Sequence, residues 1–565
     1  MLALALPVLL AGPATLVAGA PAADPAAIVR GPIAARIDTF MTRAAEDGLS
    51  GTLLVEKDGV VILHKGYGWA DHERHVPATT RTPYHLGSLA KQFTATAIYQ
   101  LESRGKLSTT DSLAKWFPEA PPDKRGITID QLLHHNAGFA YLPRGGFTDS
   151  ISVDSMVHEH FSIPLSFPPG TRYQYSSPGY NLLGAIVEKA SGRSFEDYLR
   201  TEMFTPAGMT ATSFEDDSSR WVPALRTRSY SGGGDPDPQL YPVHFYPKSM
   251  GAGSVISTAG DLWKWEQALR GTRVLDAAAL AKQFAPGPES GPTSHYGGGW
   301  QIYRSARNTT VALHGGDFGG FNTIMSRFLD EHATIVFLSN ARSSSRGYRD
   351  PVQRTVLRLL FGPPPELPPA RLALNAARAQ RWRGGWTLAG GDSIQARARD
   401  GAIWLAARTQ EGISVLAGSD SAQRAEERKL DGRAAEVVKL LVANDSTALA
   451  TSYSPSLPDD ARPEFPRFWR AEADTVGGIT STEVLGTALA PPGSARTWVR
   501  IAGPKGTRVL TIDWDRSLLI NTSTGSPAGM ELAFAPETAD RLARFDLFAG
   551  RAVRLAARGR TLAAD

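Results

Sequence analysis

Two short apolar runs, near Thr52–Glu56 and Val60–His64, flank the pair Asp58-Gly59. Strand-like runs on either side of Asp-Gly predict a β-hairpin. Strand patterns return much later, in "GGGWQIYR", "TVALHGG", "FNTIMSRFL" and "ATIVFLSN", and a helical pattern follows in "PVQRTVLRLLFG". Between the two strand regions, roughly residues 88–290 read as helices and loops. Strands at both ends with helices between predict one mixed sheet built from distant segments, carrying a helical insertion.

The tetrapeptide "SLAK" occurs twice, at Ser88–Lys91 and Ser112–Lys115. The first copy opens a segment that stays helix-compatible to Gly105, a natural C-terminal stop. Leu89, Phe93, Ala97 and Leu101 recur every four residues and predict a buried stripe. The second copy follows Thr109, Thr110 and Asp111, which are good cap residues, and Pro118 ends it within a turn or two. It reads as a short capped helix.

Past residue 361 the texture changes. "GPPPELPPA" (Gly362–Ala370) predicts a stiff linker. "SIQARARDGAIWLAA" and "TWVRIAGPKGTRVLTIDWDRSLLI" predict strand pairs, with a helix interrupted by Gly432 between them. The expected organisation is an N-terminal leader over 1–22, a first domain over 24–361, the linker over 362–370, and a β-rich accessory domain over 371–565.

The chain has 565 residues, too many for one ordinary core. Sixty basic residues against 56 acidic give a net charge of +4 with no basic run, so nothing points to nucleic acid. Cysteine is absent, which excludes disulfides, thiolate catalysis and a lipid-anchor cysteine. The apolar start, with Ala20-Pro21-Ala22 before Ala23, fits an export leader, although a basic first segment is missing. An uncleaved N-terminal anchor is the alternative.

Chemistry concentrates on the first "SLAK". Ser88 sits where free helix N–H groups favour a developing anion. Lys91 lies one turn on, on the same side. A buried lysine loses its proton readily and can then take one from a serine hydroxyl. "YQYSSPGYNLLG" offers Tyr175 and Ser177 ahead of a helix from about Tyr180, and "LHGGDFGGFN" puts His314-Gly315-Gly316 at a strand end. An aromatic turn and a plain glycine turn are the structural readings of these two. His134, His135, His158, Glu159 and His160 lack H-E-x-x-H spacing, so no metal or cofactor is expected. Thr258 and Asp261 in "STAGDLWKW" fit a capping box. The glycine-rich loop Ser229–Gln239 is expected to border the cleft. No serine has the G-x-S-x-G setting, so an α/β-hydrolase is unsupported.

Taken in order, "KGYGWADHERHVPATTRTPYHLGSLAKQFTA", "ITIDQLLHHNAGFAYLP", "YQYSSPGYNLLGAIVEKASGRSFEDYL", "GAGSVISTAGDLWKW" and "LHGGDFGGF" resemble the serine β-lactamase and penicillin-binding-protein superfamily over about residues 30–360. The resemblance is to the branch of class C β-lactamases, D-alanyl-D-alanine carboxypeptidases, D-aminopeptidases and esterases. It implies an α/β fold: a mixed antiparallel sheet flanked by helices, with a helical subdomain, here followed by a β-rich C-terminal domain. It also implies Ser88 as the acylated nucleophile, Lys91 as its base, and Tyr175 as a proton shuttle with a lowered pKa. The Ser88 and Asp317 N–H groups would form the oxyanion hole; Ser177, His314, Gly315 and Gly316 would contact substrate.

Two residues depart from the pattern. Ser177 stands where asparagine is common, and His-Gly-Gly replaces Lys-Thr-Gly. Both lean away from β-lactam hydrolysis toward an esterase or a D-amino-acid peptidase or carboxypeptidase. A class C-like β-lactamase, or a catalytically silent peptidoglycan-binding protein, is the alternative. The expected partner is a small molecule or peptide with an ester, amide or lactam bond, in a periplasmic or secreted setting.

Overall fold

In the computed structural model a two-residue strand, Ile28–Val29 (β1), pairs with the second arm of the Asp58-Gly59 hairpin. The hairpin arms are Gly51–Lys57 (β2) and Val60–Tyr67 (β3). Asp58 and Gly59 both take positive φ, 52° and 81°, the doubly left-handed geometry that suits a two-residue hairpin turn. The structure describes residues 24–141, 143, 151–214, 227–230, 247–343, 346–399, 401–453, 464–490, 494–514, 520–526, 530–546 and 551–564. The expected leader, and all but the first two residues of the loop Ser229–Gln239, lie outside these.

Six later strands join the hairpin: Glu289–Gly291 (β4), Ser294–Tyr296 (β5), Gln301–Arg304 (β6), Thr310–Phe318 (β7), Phe321–Phe328 (β8) and Ala333–Ser339 (β9). The order across the sheet is β1-β3-β2-β9-β8-β7-β6-β5-β4, antiparallel throughout. The pairing of β2 with β9 unites segments almost 300 residues apart, as the strand–helix–strand pattern predicts. His314-Gly315-Gly316 lies inside β7, not at its end, opposite Met325, Ile324 and Thr323 of β8.

Every residue of β8 and β9 is buried, because helices cover both faces. The elements that bear on this are Gly31–Ala45 (α1), Lys91–Ser103 (α2), Leu113–Trp116 (α3), Ser177–Ser191 (α4), Ala259–Leu269 (α5) and Arg349–Phe361 (α6). Ser326 Oγ accepts from Gln353 of α6 at 2.9 Å. The next residue, Arg327, pairs with Glu266 of α5. Neighbouring strand residues point to opposite faces, so α5 and α6 cover opposite sides of the sheet. Arg327 belongs to a buried charge network that continues through Glu266 and Arg270 to Glu56 on β2.

The predicted stripe on α2 is buried, but so is every other residue from Lys91 to Leu101. The helix runs through the core, and its polar groups find partners there. Gln92 accepts from Trp265 Nε1 at 2.8 Å, Thr94 donates to the Gly251 carbonyl at 2.7 Å, and Gln100 donates to the Val274 carbonyl at 2.9 Å.

Local details differ from the sequence reading. The second "SLAK" forms the single-turn α3, as expected, but its N-cap is Ser112 and makes no side-chain cap bond. Asp111 instead pairs with Lys115 at 2.7 Å and accepts from the Ser108 N–H. The capping box at Thr258 is half made. Thr258 accepts from the Asp261 N–H, while the Asp261 carboxylate is drawn off to Thr212, the Ala211 N–H and Lys264. Helix α4 starts at Ser177 rather than near Tyr180, because Ser176 caps the Gly179 N–H and Pro178 suits the first turn.

A second compact unit begins at Gly362. Seven strands close a barrel: Gly384–Leu388, Ser393–Arg399, Ala402–Ala407, Met530–Pro536, Arg541–Asp546, Arg551–Arg558 and Thr561–Ala564. Inserted between its third and fourth strands are a four-stranded sheet and the helix Ser421–Ala443 (α7). Gly432 does not break α7. No atom lies within 4 Å of where its Cβ would be, so the glycine sits on an open side. Among the described residues no helix is long and apolar enough to cross a membrane.

Candidate active site

Ser88 sits in a 3₁₀ turn, Gly87–Ala90, that feeds directly into α2. Lys91 Nζ lies 3.0 Å from Ser88 Oγ, 3.4 Å from Ser177 Oγ and 3.0 Å from the Ala252 carbonyl. The lysine side chain is fully buried. Burial pushes its pKa well below the ordinary lysine value, because an ammonium loses its hydration there and has no carboxylate to compensate. Burial thus favours the neutral amine, whose lone pair can face the serine hydroxyl.

The turn presses against β7. Gly87 has φ +53°, and a Cβ there would stand 2.8 Å from the Asp317 nitrogen. A Cβ at Gly316 would stand 1.8 Å from the Leu86 carbonyl oxygen. Two glycines therefore permit backbone-to-backbone contact between the Ser88 turn and the strand. That contact brings the Ser88 and Asp317 peptides side by side.

Tyr175 precedes α4, with its ring half-buried and its hydroxyl sealed from solvent. Lys91 Nζ is 4.8 Å from the ring centroid. The hydroxyl faces Ser88 without a hydrogen bond of ordinary geometry. Its pKa is raised, not lowered as the resemblance implied. Burial is the first cause, and it outweighs the contact with Ser88, which acts the other way. Tyr175 is therefore a phenol with a proton to give.

His314 is buried and its pKa is pushed down to about 3, chiefly by desolvation. Its Nδ1 lies 2.7 Å from the Gly315 carbonyl and its Nε2 lies 2.9 Å from Tyr296 Oη. The carbonyl accepts only, so Nδ1 carries the proton and Nε2 accepts from the tyrosine. A histidine committed in this way is no substitute for a lysine cation.

Ser88, Tyr175, Ser177, His314, Gly315 and Asp317 line one cavity of about 260 Å³. The site residues expected from the sequence are thus brought together, Gly316 lying under the floor. Other lining residues escaped that reading: Tyr141, Tyr173, Tyr296, Gln301, Leu313 and Arg349. Arg349 begins the last helix of the unit and has no local motif to mark it. His135, read as part of a structural loop, packs its ring 4.3 Å from Tyr175 and 4.4 Å from Tyr296, and its Nδ1 accepts from the Ser176 N–H at 3.0 Å.

Comparison with known proteins agrees with this geometry. The family model described as Beta-lactamase matches residues 33–359. Penicillin-binding protein 4* of Bacillus subtilis is 28% identical over 414 residues, which is 68% of this chain and 89% of that protein. A penicillin-binding protein structure from Bacillus halodurans superposes with TM-score 0.50 at 27% identity, over 57% of this chain and 98% of that one. The octameric penicillin-binding protein homologue from Pyrococcus abyssi gives TM-score 0.52 at 25% identity, over 66% and 87%. The family model covers nearly all of the sheet-and-helix unit that holds Ser88 and Lys91, and the chain belongs to the beta-lactamase family of serine hydrolases.

Proposed function

We infer that the protein hydrolyses esters or D-amino-acid amides through an acyl-enzyme on Ser88. The observation that carries this is the 3.0 Å contact between Ser88 Oγ and a wholly buried Lys91, whose burial lowers its pKa and favours the amine. Lys91 takes the serine proton as Oγ attacks the substrate carbonyl. The oxyanion that forms is met by the N–H groups of Ser88 and Asp317; each such donor contributes about 3 kcal/mol to barrier lowering. Tyr175, a protonated phenol, gives its proton to the leaving group. The Lys91 ammonium, under 5 Å from that ring, then reprotonates the phenolate, which restores both groups. Water repeats the sequence in reverse and frees Ser88.

Neutral His314 and the short Ser177 favour esters and amides over β-lactams. Ser177 offers one hydroxyl where an amide would offer both a donor and an acceptor. The apolar start of the chain supports export, in keeping with relatives that are bacterial penicillin-binding proteins.

The test is intact-mass spectrometry after exposure to p-nitrophenyl esters, D-amino-acid amides, D-Ala-D-Ala peptides and a penicillin, with Ser88→Ala alongside. An adduct or turnover lost in Ser88→Ala is expected with an ester or an amide. Undiminished turnover in Ser88→Ala would sink the assignment.

A further inference from the structure

We propose that the Asp317–Arg349 ion pair at the mouth of the cleft selects acyl donors that lack a free carboxylate. Among the described residues, Arg349 is the one arginine that lines the cavity, and Asp317 occupies it. The proposal rests on the hydrolase reading above and narrows its substrate class.

Arg349 and Asp317 both line the cavity that holds Ser88. Arg349 Nη1 lies 2.6 Å from Asp317 Oδ2. Their side chains keep 27% and 42% of their surface exposed, so the pair faces the space a substrate enters. The pair is held in place from below. Asn322, 2% exposed and directly opposite Asp317 in the sheet register, donates to Asp317 Oδ1 at 2.7 Å and accepts from the Arg349 N–H at 3.0 Å. One amide thus fixes both partners. Arg349 Nη1 also reaches the Gly316 carbonyl at 3.4 Å, and Nε reaches Asp350 at 3.3 Å.

Two glycines make room for this arrangement. A Cβ at Gly315 would stand 2.7 Å from Arg349 Nη1, and one at Gly347 would stand 2.0 Å from Asn322 Oδ1. Gly315 is therefore more than a missing threonine hydroxyl: it is the space the guanidinium fills. The remaining cavity wall among the described residues is Tyr141, Tyr173, Tyr175, Tyr296 and neutral groups. Lys91 already directs its Nζ to Ser88, Ser177 and the Ala252 carbonyl. Both nitrogens of His314 are engaged.

A carboxylate entering this cleft meets an arginine already neutralised, with Asp317 and Asp350 beside it. Displacing Asp317 would leave one carboxylate unpaired, a like-charge arrangement that disfavours binding. A neutral ester or amide pays no such penalty and gains the tyrosine walls. The acceptor side chain of Asp317 thus acts on specificity, while its backbone N–H serves the oxyanion.

Two matched ester pairs test the proposal. One is p-nitrophenyl butyrate against mono-p-nitrophenyl succinate, with the charge on the acyl side. The other is phenyl butyrate against 3-carboxyphenyl butyrate, with the charge on the leaving group. Wild type is expected to favour the neutral member of each pair by about tenfold or more in kcat/KM. Asp317→Asn, or Asp317→Ser if the first variant folds poorly, should move that ratio about tenfold toward the charged member of at least one pair. Arg349→Gln should cancel the gain in the Asp317→Asn background, and by itself should keep or strengthen the preference for the neutral member. A wild-type preference for the charged esters, or a ratio that ignores Asp317, would overturn the proposal while leaving the hydrolase reading intact. No turnover of any of the four esters would overturn both.

Discussion

Gly87→Ala isolates the contact between the nucleophile turn and β7. Alanine at φ +53° costs about 1–2 kcal/mol in backbone strain. Its Cβ would also stand 2.8, 2.9 and 3.0 Å from the nitrogen, oxygen and carbonyl carbon of Asp317. Those atoms belong to β7, which is paired with Asn322 of β8 at that point and with β6 further back, over Thr310–Leu313, so the strand is held and the turn must yield. Relief needs a shift of roughly 0.5 Å, which parts the Ser88 and Asp317 N–H groups. Loss of one oxyanion donor costs about 10²–10³ in kcat. Gly105→Ala is the control: φ is +68°, but nothing lies within 4 Å of its Cβ. It should carry the same backbone strain and leave kcat unchanged. The assay is kcat on a p-nitrophenyl ester, with thermal unfolding of both variants. Gly87→Ala with kcat within about threefold of wild type would refute the oxyanion argument; so would equal loss in Gly105→Ala.

Tyr175→Phe should lower kcat by about 10²–10⁴, yet cost almost no stability, since the buried hydroxyl has no hydrogen-bond partner to lose; wild-type turnover would remove the phenol from the mechanism. The low pKa of Lys91 places the acid limb of kcat/KM below the ordinary lysine range, and activity should fall as pH drops through it; a limb near the ordinary lysine value would show a charged lysine. Arg327→Met strips one partner from buried Glu266 and should cost about 3 kcal/mol in urea unfolding; a cost near zero would mean that Arg270 alone satisfies the carboxylate. His160 is buried with both ring nitrogens unpartnered and its pKa held down to about 4. It titrates near 6.5 when unfolded, so the unfolded chain binds the extra proton and stability falls as pH drops from about 6.5 toward 4. From pH 7 to 4.5 this one group accounts for about 2–3 kcal/mol. His160→Phe should remove that share, and unchanged acid sensitivity would contradict the assignment.

The sequence by itself determined the elements and their chemistry. The hairpin at Asp58-Gly59, the late strands and the short helix at the second SLAK all followed from local rules, while the expectation that Ser88 is the reactive serine also drew on the distant motifs around Tyr175 and His314. Period, turn residues and helix stops act between near neighbours, so a linear reading captures them. Tertiary structure decided how each group is buried and which groups meet. The sequence shows a lysine, a tyrosine and a histidine, but only burial in the fold pushes the Lys91 and His314 pKa values down and the Tyr175 pKa up. Protonation depends on the solvent each group loses, and solvent exclusion is a property of the packed core. Arg349 escaped the linear reading for a related reason. It lies 32 residues from Asp317 along the chain, and nothing local marks it as a partner. Asn322 and the space left by Gly315 and Gly347 bring the two together, and that meeting exists only once β7, β8 and α6 have assembled.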